Sequence, residues 1–231
     1  MRPLRFIAAM VVAAAIWGGW RVWNSGPMEL RRVEVAGNEK VTKEEIAAAS
    51  ELSAGMRLLK ISVGAVSRKV ESIPWVSEAR VERIIPSSVR ISVEERAPRA
   101  EVVLRGRSWL VDAEGMILEE GSGAGLKIVD LPVKRSRPGV QITVRQFHEA
   151  LAVFDSLDPQ MSDRVRELSA RTVDRITLTL DDRTEVVFGA AEEVEAKNYS
   201  VRRILEEAAK EGRAAASIDV RVPDRPAVRF R

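Results

Sequence analysis

The chain has 231 residues, with 37 basic and 34 acidic side chains, one histidine and no cysteine. The absence of cysteine excludes disulfides, thiolate metal sites and cysteine nucleophiles, and it suits an oxidising compartment where stray thiols are a liability. The net charge of +3 belongs to the N-terminal segment: Arg2, Arg5 and Arg21 are the only charged side chains before Glu29, so the remainder is formally neutral and offers no basic block of the kind that nucleic acid requires.

Phe6 to Trp20 carries no charge, and Arg21 to Trp23 extend the apolar segment to 18 residues. As a helix that is about 27 Å at ~1.5 Å per residue, close to a hydrocarbon core of about 30 Å. Arg21 is placed to snorkel toward headgroups, and Trp17, Trp20 and Trp23 gather at the far end, where indole rings favour the interface. Arg2 and Arg5 favour a cytoplasmic N-terminus. Residues 1–5 therefore read as a short cytoplasmic tail. Residues 6–23 read as an uncleaved transmembrane signal anchor bearing Phe6, Trp17, Trp20 and Trp23, and 24–28 as a linker. A cleaved signal peptide is the alternative, with Ala13-Ala14-Ala15 as the small-residue site. Cleavage there leaves a tryptophan-rich start that makes little sense for a soluble product.

In residues 29–98, Val33 and Val35 alternate with Arg32 and Glu34, the period of a half-buried strand. Gly37-Asn38 is a turn pair. Thr42 and Glu45 stand at capping-box spacing with Val41 and Ile46 as the staple, which predicts a helix starting at 42 or 43. Val63, Val66, Val70 and Ile73 share one face of a second helix that Pro74 stops. Val76 to Ile84 and Val89 to Val93 form an antiparallel hairpin around Pro86-Ser87, with Val89, Ile91 and Val93 on its buried face. Three strands and two helices on one face make a small α+β layer.

Residues 99–231 read as a mostly antiparallel β domain with flanking helices. Strands are predicted at Ala100 to Leu104, Trp109 to Val111 and Met116 to Leu118, with Asp112 to Gly115 as a turn. Gly121 to Gly125 fits neither a phosphate loop nor a dinucleotide fingerprint and reads as a surface turn. Val144, Phe147, Leu151 and Phe154 mark a helix that ends before Asp158-Pro159. Ile176 to Leu180 and Val186 to Gly189 form a hairpin across Asp181-Asp182. Glu192 to Glu211 is a helix with Val194, Val201, Ile204, Leu205 and Ala208 inward. The last strands are Ile218 to Val222, with Ile218, Val220 and Val222 toward the core, and Ala227 to Phe230; Pro223 and Pro226 between them read as edge protection.

No catalytic constellation emerges. His148, the lone histidine, lies beside Phe147 at the edge of an apolar helix face and reads as structural. There is no G-x-S-x-G elbow for a serine nucleophile and no ligand spacing for a metal. Glu192, Glu193, Glu195, Glu206 and Glu207 read as helix-surface charge. The chain is expected to use no cofactor, no metal and no small-molecule substrate.

The motifs Leu30-Arg31-Arg32-Val33-Glu34-Val35-Ala36-Gly37-Asn38, Val41-Thr42-Lys43-Glu44-Glu45-Ile46, Gly55-Met56, Ile73-Pro74-Trp75-Val76, Pro86-Ser87-Ser88-Val89 and Val93-Glu94-Glu95-Arg96-Ala97-Pro98 resemble the POTRA module of the FtsQ/DivIB family of bacterial cell-division proteins. Trp109-Leu110-Val111-Asp112, Gly115-Met116-Ile117, Leu131-Pro132, Gly189, Lys197 and Ile218-Asp219-Val220-Arg221 are similar to later parts of that family. Two departures are visible: Val222 replaces the aromatic residue common after the closing arginine, and the tail before the anchor is short. The resemblance implies a non-enzymatic scaffold in the bacterial inner membrane at the division septum, with most of the chain on the periplasmic side. It implies small bitopic coiled-coil partners of the FtsB and FtsL type, one of which adds a strand to the C-terminal edge. The matching positions are Ile218, Val220, Arg221, Val222, Ala227 and Val228, with Arg221 holding a carboxylate or carbonyl and Val222 giving apolar contact. The competing reading is a POTRA-bearing component of protein secretion or outer-membrane assembly, although such proteins usually carry several modules and a long barrel.

Overall fold

The computed structural model describes residues 10–20 and 28–231. Residues 10–20 form helix α1, on which Met10, Val11, Val12, Ile16, Trp17 and Trp20 are exposed. Among the described residues no helix is long and apolar enough to cross a membrane. The expected anchor spans 6–23, so its Phe6 and Trp23, together with the expected tail and nearly all of the linker, lie outside the described residues. The rest of the chain forms two compact units divided after Glu95.

The first unit runs β1 (Arg32–Ala36), α2 (Lys43–Ser50), a 3-10 turn (Leu58–Lys60), α3 (Val63–Val70), β2 (Val76–Ile84) and β3 (Ser88–Glu95). The sheet order is β1-β3-β2, with β1 parallel and β2 antiparallel to β3. Thr42 caps α2 as its spacing predicts: its side chain accepts from the Glu45 N–H, and Glu45 accepts from the Thr42 N–H. Helix α3 ends at Val70, short of the predicted Ile73, which still packs on the core from the following turn. Val66 and Val70 of α3 and Ile46 of α2 close over Val89, Ile91 and Val93, and all are buried. Glycine is required at position 37. Its φ is +82°, and a Cβ there would stand 2.2 Å from the Val93 carbonyl oxygen. The next turn is held by Glu95, whose carboxylate accepts the backbone N–H groups of Glu39, Lys40 and Val41 at 2.8–3.1 Å.

The second unit contains one nine-stranded sheet. Its elements are β4 (Ala100–Leu104), β5 (Arg107–Val111), β6 (Ile117–Glu120), β7 (Leu126–Val129), α4 (Arg145–Asp155), α5 (Pro159–Ser162), β8 (Val165–Ser169), β9 (Thr177–Leu180), β10 (Glu185–Val187), α6 (Val194–Lys210), β11 (Ala215–Asp219) and β12 (Ala227–Phe230). Across the sheet the order is β12-β11-β10-β9-β8-β7-β4-β5-β6. Five of the pairings are antiparallel; β4 with β7, β7 with β8 and β10 with β11 are parallel. The sequence reading lacks β7 and β8, the two strands that join the halves of the sheet.

One row of directly opposed residues runs across eight strands: Trp109, Val102, Ile128, Leu168, Leu178, Val186, Ile218 and Val228. All but the last are buried. Directly opposed residues lie on one face of a sheet, and here that face packs with Phe147, Ala150, Leu151 and Val153 of α4 and with Val201 of α6 in a single cluster. The row stops at Val228, on the last strand of the sheet.

Candidate partner-binding edge

A sheet has two edges, and this one treats them differently. Beside β6, Met116 bridges to Gln141, Ile117 donates to the Val140 carbonyl at 3.0 Å and accepts from Gly139 at 2.9 Å. Residues 139–141 therefore pair with the start of that edge, at Met116 and Ile117. At the other end, among the described residues, β12 pairs only with β11, in the register Asp219↔Ala227, Ile218↔Val228 and Ser217↔Arg229. In an antiparallel pair alternate residues turn their N–H and C=O groups away from the neighbour, so one side of β12 has its backbone groups free of the ladder.

Beside this edge lies a groove of about 390 Å³ between α6 and the turn that enters β12, with Tyr199, Arg203 and Ile204 on one wall and Pro223 and Pro226 on the other. The Ser200 hydroxyl donates to the Pro223 carbonyl at 3.1 Å and ties the walls together. In the second unit, Tyr199 (56% exposed) and Val222 (59%) are the large apolar side chains most open to solvent among the described residues. Tyr199 lines the groove, and Val222 immediately precedes one of its walls. On β12, Val228 and Phe230 are half-buried while Ala227 and Arg229 are exposed. The Arg213 guanidinium lies 3.5 Å from the centre of the Phe230 ring, and Arg231 donates to the Asp182 carbonyl at 2.7 Å, so the C-terminal end of the last strand is tied down.

Of the residues that the sequence reading assigned to this region, Ile218 and Val220 are wholly buried and present no side chain to the surface. Val222 does not face the core as predicted. Strand β11 ends at Asp219, and the chain then bends, which turns Val222 outward. The bend has a local cause. The Asp219 carboxylate accepts the Arg221 backbone N–H at 3.1 Å and its Nη2 at 2.7 Å, closing the turn from within. Those hydrogen bonds hold the Asp219 carboxyl below its usual range and push the Arg221 guanidinium up. Arg221 is thus engaged by its own chain on one side and stays half exposed on the other.

Three separated motif residues meet behind this turn. Gly189 has φ +76°, and a Cβ there would stand 3.1 Å from Arg221 Cγ and 3.3 Å from the Asp174 carbonyl. Lys197 is buried; its Nζ donates to the Ala190 carbonyl at 3.0 Å and lies 5.2 Å from the centre of the Phe188 ring. Burial lowers its pKa. Lys197 therefore pins residues 188–190 to α6, and Gly189 makes room for the Arg221 stem. His148, expected at the edge of an apolar helix face, is exposed on α4 with its ring edge-on to the buried Phe147. The sequence reading omitted Tyr199, Arg203, Arg229 and Phe230 from the site. The signal for Tyr199 was present: it is the only tyrosine, and it stands two positions before the inward Val201, which puts it on another face of the helix.

A family model described as "POTRA domain, FtsQ-type" matches residues 28–96, and one described as "Cell division protein FtsQ/DivIB, C-terminal" matches residues 100–221. A cell division protein FtsQ of Syntrophotalea carbinolica is 32% identical over 176 residues, covering 73% of this chain and 62% of that protein. Its counterpart in Mycobacteroides abscessus is 31% identical over 203 residues, covering 87% and 62%. That of Mycolicibacterium smegmatis is 30% identical over 222 residues, covering 96% and 63%. The chain thus spans less than two thirds of the length of these relatives, and the second family match ends at Arg221, before β12.

Proposed function

Because this chain belongs to the FtsQ/DivIB family of cell-division proteins, we propose that it is a non-catalytic scaffold of the division machinery, held in the bacterial inner membrane by residues 6–23, with its folded units on the outer side of that membrane at the septum. Its partners on this reading are small single-pass coiled-coil division proteins of the FtsB and FtsL type. One partner segment adds a strand to the open side of β12.

The observation that carries this reading is the asymmetry of the second sheet: one edge is paired at its start with residues 139–141, and the other ends open beside a groove with exposed apolar side chains. Strand addition takes its affinity from backbone hydrogen bonds and its selectivity from side-chain pockets. Ala227, Val228 and Arg229 supply the backbone. A partner residue opposite Val228 extends the row that ends there, so an apolar residue is favoured at that position. Val222 and Tyr199 offer apolar contact to whatever follows the added strand into the groove, and Arg221 and Arg203 offer charge at its rim.

The test is site-specific photocrosslinking in native membranes from positions 222 and 229, with captured proteins identified by mass spectrometry. Capture of a small single-pass division protein from both positions is the expected result. Capture of nascent outer-membrane proteins would instead favour an assembly role, and no capture from either position would overturn the β12 site.

A further inference from the structure

The first unit keeps its exposed large apolar side chains at one end. Among its residues from 28 onward these are Met56 (40% exposed), Leu59 (43%) and Ile85 (65%). They are far apart in sequence, and hydrogen bonds bring their segments together. Leu30 donates to the Met56 carbonyl at 2.7 Å, Leu58 donates to the Met28 carbonyl at 2.7 Å, and Arg31 donates to the Ser87 carbonyl at 2.8 Å. Arg83 Nη2 donates to the Ile61 carbonyl at 2.6 Å and fastens the β2–β3 hairpin tip to the 3-10 turn. These segments surround Met28, where the chain coming from α1 enters the fold.

The same end is basic. Arg31, Arg57, Lys60 and Arg83 are all exposed, and among the described residues no carboxylate forms an ion pair with any of them. Glu29 is the one acid in these segments. Apolar side chains ringed by unpaired cations are the composition of a surface that lies on an anionic bilayer, where the apolar groups enter the interface and the cations meet phosphate. A polar protein surface offers no comparable reason for three bulky apolar groups to gather among cations.

The length of chain before Met28 selects the same occupant. Residues 21–28 follow α1, and eight residues reach at most about 28 Å when fully extended. If the N-terminal segment is anchored as proposed above, the Met28 end of the unit stays within that distance of the headgroups. The opposite end, which carries Gly37 and Glu39 beyond β1, is the far one.

We infer that the Met28 end of the first unit is a lipid-contact surface that seats on the outer leaflet, with Met56, Leu59 and Ile85 in the interface and Arg31, Arg57, Lys60 and Arg83 against the phosphates of anionic lipid. This rests on the anchored reading. Its consequence is orientation: it fixes which end of the unit faces the bilayer and turns the far end toward partners.

The chain contains no cysteine, so single-cysteine variants label cleanly. The full chain is reconstituted into vesicles of phosphatidylethanolamine and phosphatidylglycerol, with an environment-sensitive fluorophore at Leu59→Cys, Ile85→Cys or, as the far-end control, Glu39→Cys. Lipids brominated near the headgroup are expected to quench the labels at 59 and 85 and to leave the label at 39 unquenched. Arg57→Glu combined with Lys60→Glu is expected to reduce the quenching while thermal unfolding still shows a folded protein. Equal quenching at all three positions, or none at 59 and 85 in vesicles from which alkaline carbonate cannot extract the chain, overturns the lipid surface and leaves the anchor standing. Labels at 59 and 85 that become shielded only when a partner protein is added assign the patch to that protein and overturn it equally. Extraction of the chain by carbonate defeats the anchor, and the inference falls with it.

Discussion

A few residues set the shape of the candidate site, and each does so for a reason that can be measured. Asp219 and Arg221 close the bend after β11, and that bend turns Val222 outward. The hydrogen bonds from Arg221 keep the Asp219 carboxyl below its usual value of 3.8. A carboxyl lowered on folding contributes stability that is present above its unfolded value and is lost as pH falls through the folded one. Asp219→Asn is therefore expected to lower the urea midpoint at pH 7, and the difference from the parent protein should shrink as pH falls below about 4. Denaturation curves of both proteins across pH check this; a difference that does not change with pH removes the carboxylate from the account. His148 shows the limit of reading single residues. It follows the buried Phe147, but its position on the turn of α4 leaves it in solvent.

At the scale of elements, the legible ones were those with a local cause. Helix α2 begins where its capping box stands, and β3 shows alternation that no neighbouring strand is needed to explain. Strands β7 and β8 were not legible. They span four and five residues between loops, and their apolar residues follow from parallel pairing inside the sheet. Segments as short as Leu-Lys-Ile-Val and Val-Arg-Glu-Leu-Ser do not declare their structure by period. Yet β7 is where the sheet is joined, with Ile128 packed between Val102 and Leu168 and wholly buried. Ile128→Ala is expected to destabilise the second unit by about 2–5 kcal/mol, the usual cost of truncating a buried branched side chain. Urea denaturation measures it, followed by the fluorescence of Trp109, two strands along the same row, in a chain whose other four tryptophans are replaced by phenylalanine. A loss below about 1 kcal/mol would show that β7 is not needed to hold the row together.

At the scale of the whole molecule, the two units have separate cores. The first is built on Leu30, Ile46, Leu58, Val89 and Ile91, and the second on the row from Trp109 to Ile218 together with α4 and α6. A cavity in one core should then be felt mainly in that unit. Ile91→Ala is expected to lower hydrogen-exchange protection across β1, β2 and β3 by the equivalent of about 2–5 kcal/mol while β9 and β10 keep theirs. Exchange followed by mass spectrometry on peptides from both units is the check, and an equal loss in the two would show that they unfold together. The division of labour proposed here follows the same partition, with one unit beside the bilayer and the other carrying the strand edge.

By itself the sequence determined the apolar N-terminal segment, the two-part organisation, the capped helix α2, the hairpins and the residues Gly189, Lys197, Asp219 and Arg221 that carry the family resemblance. Those four residues come from the resemblance; each of the other features rests on composition, period or local hydrogen bonding within a few positions of chain. Tertiary structure alone decided which strand is last in the sheet, that Ile218 and Val220 are sealed inside while Val222 is exposed, and that Gly189, Lys197 and Arg221 meet. It also decided that Met56, Leu59 and Ile85 share one end. Those facts depend on the order of strands and on contacts between distant segments, and an edge or a patch has no period along the chain to reveal it.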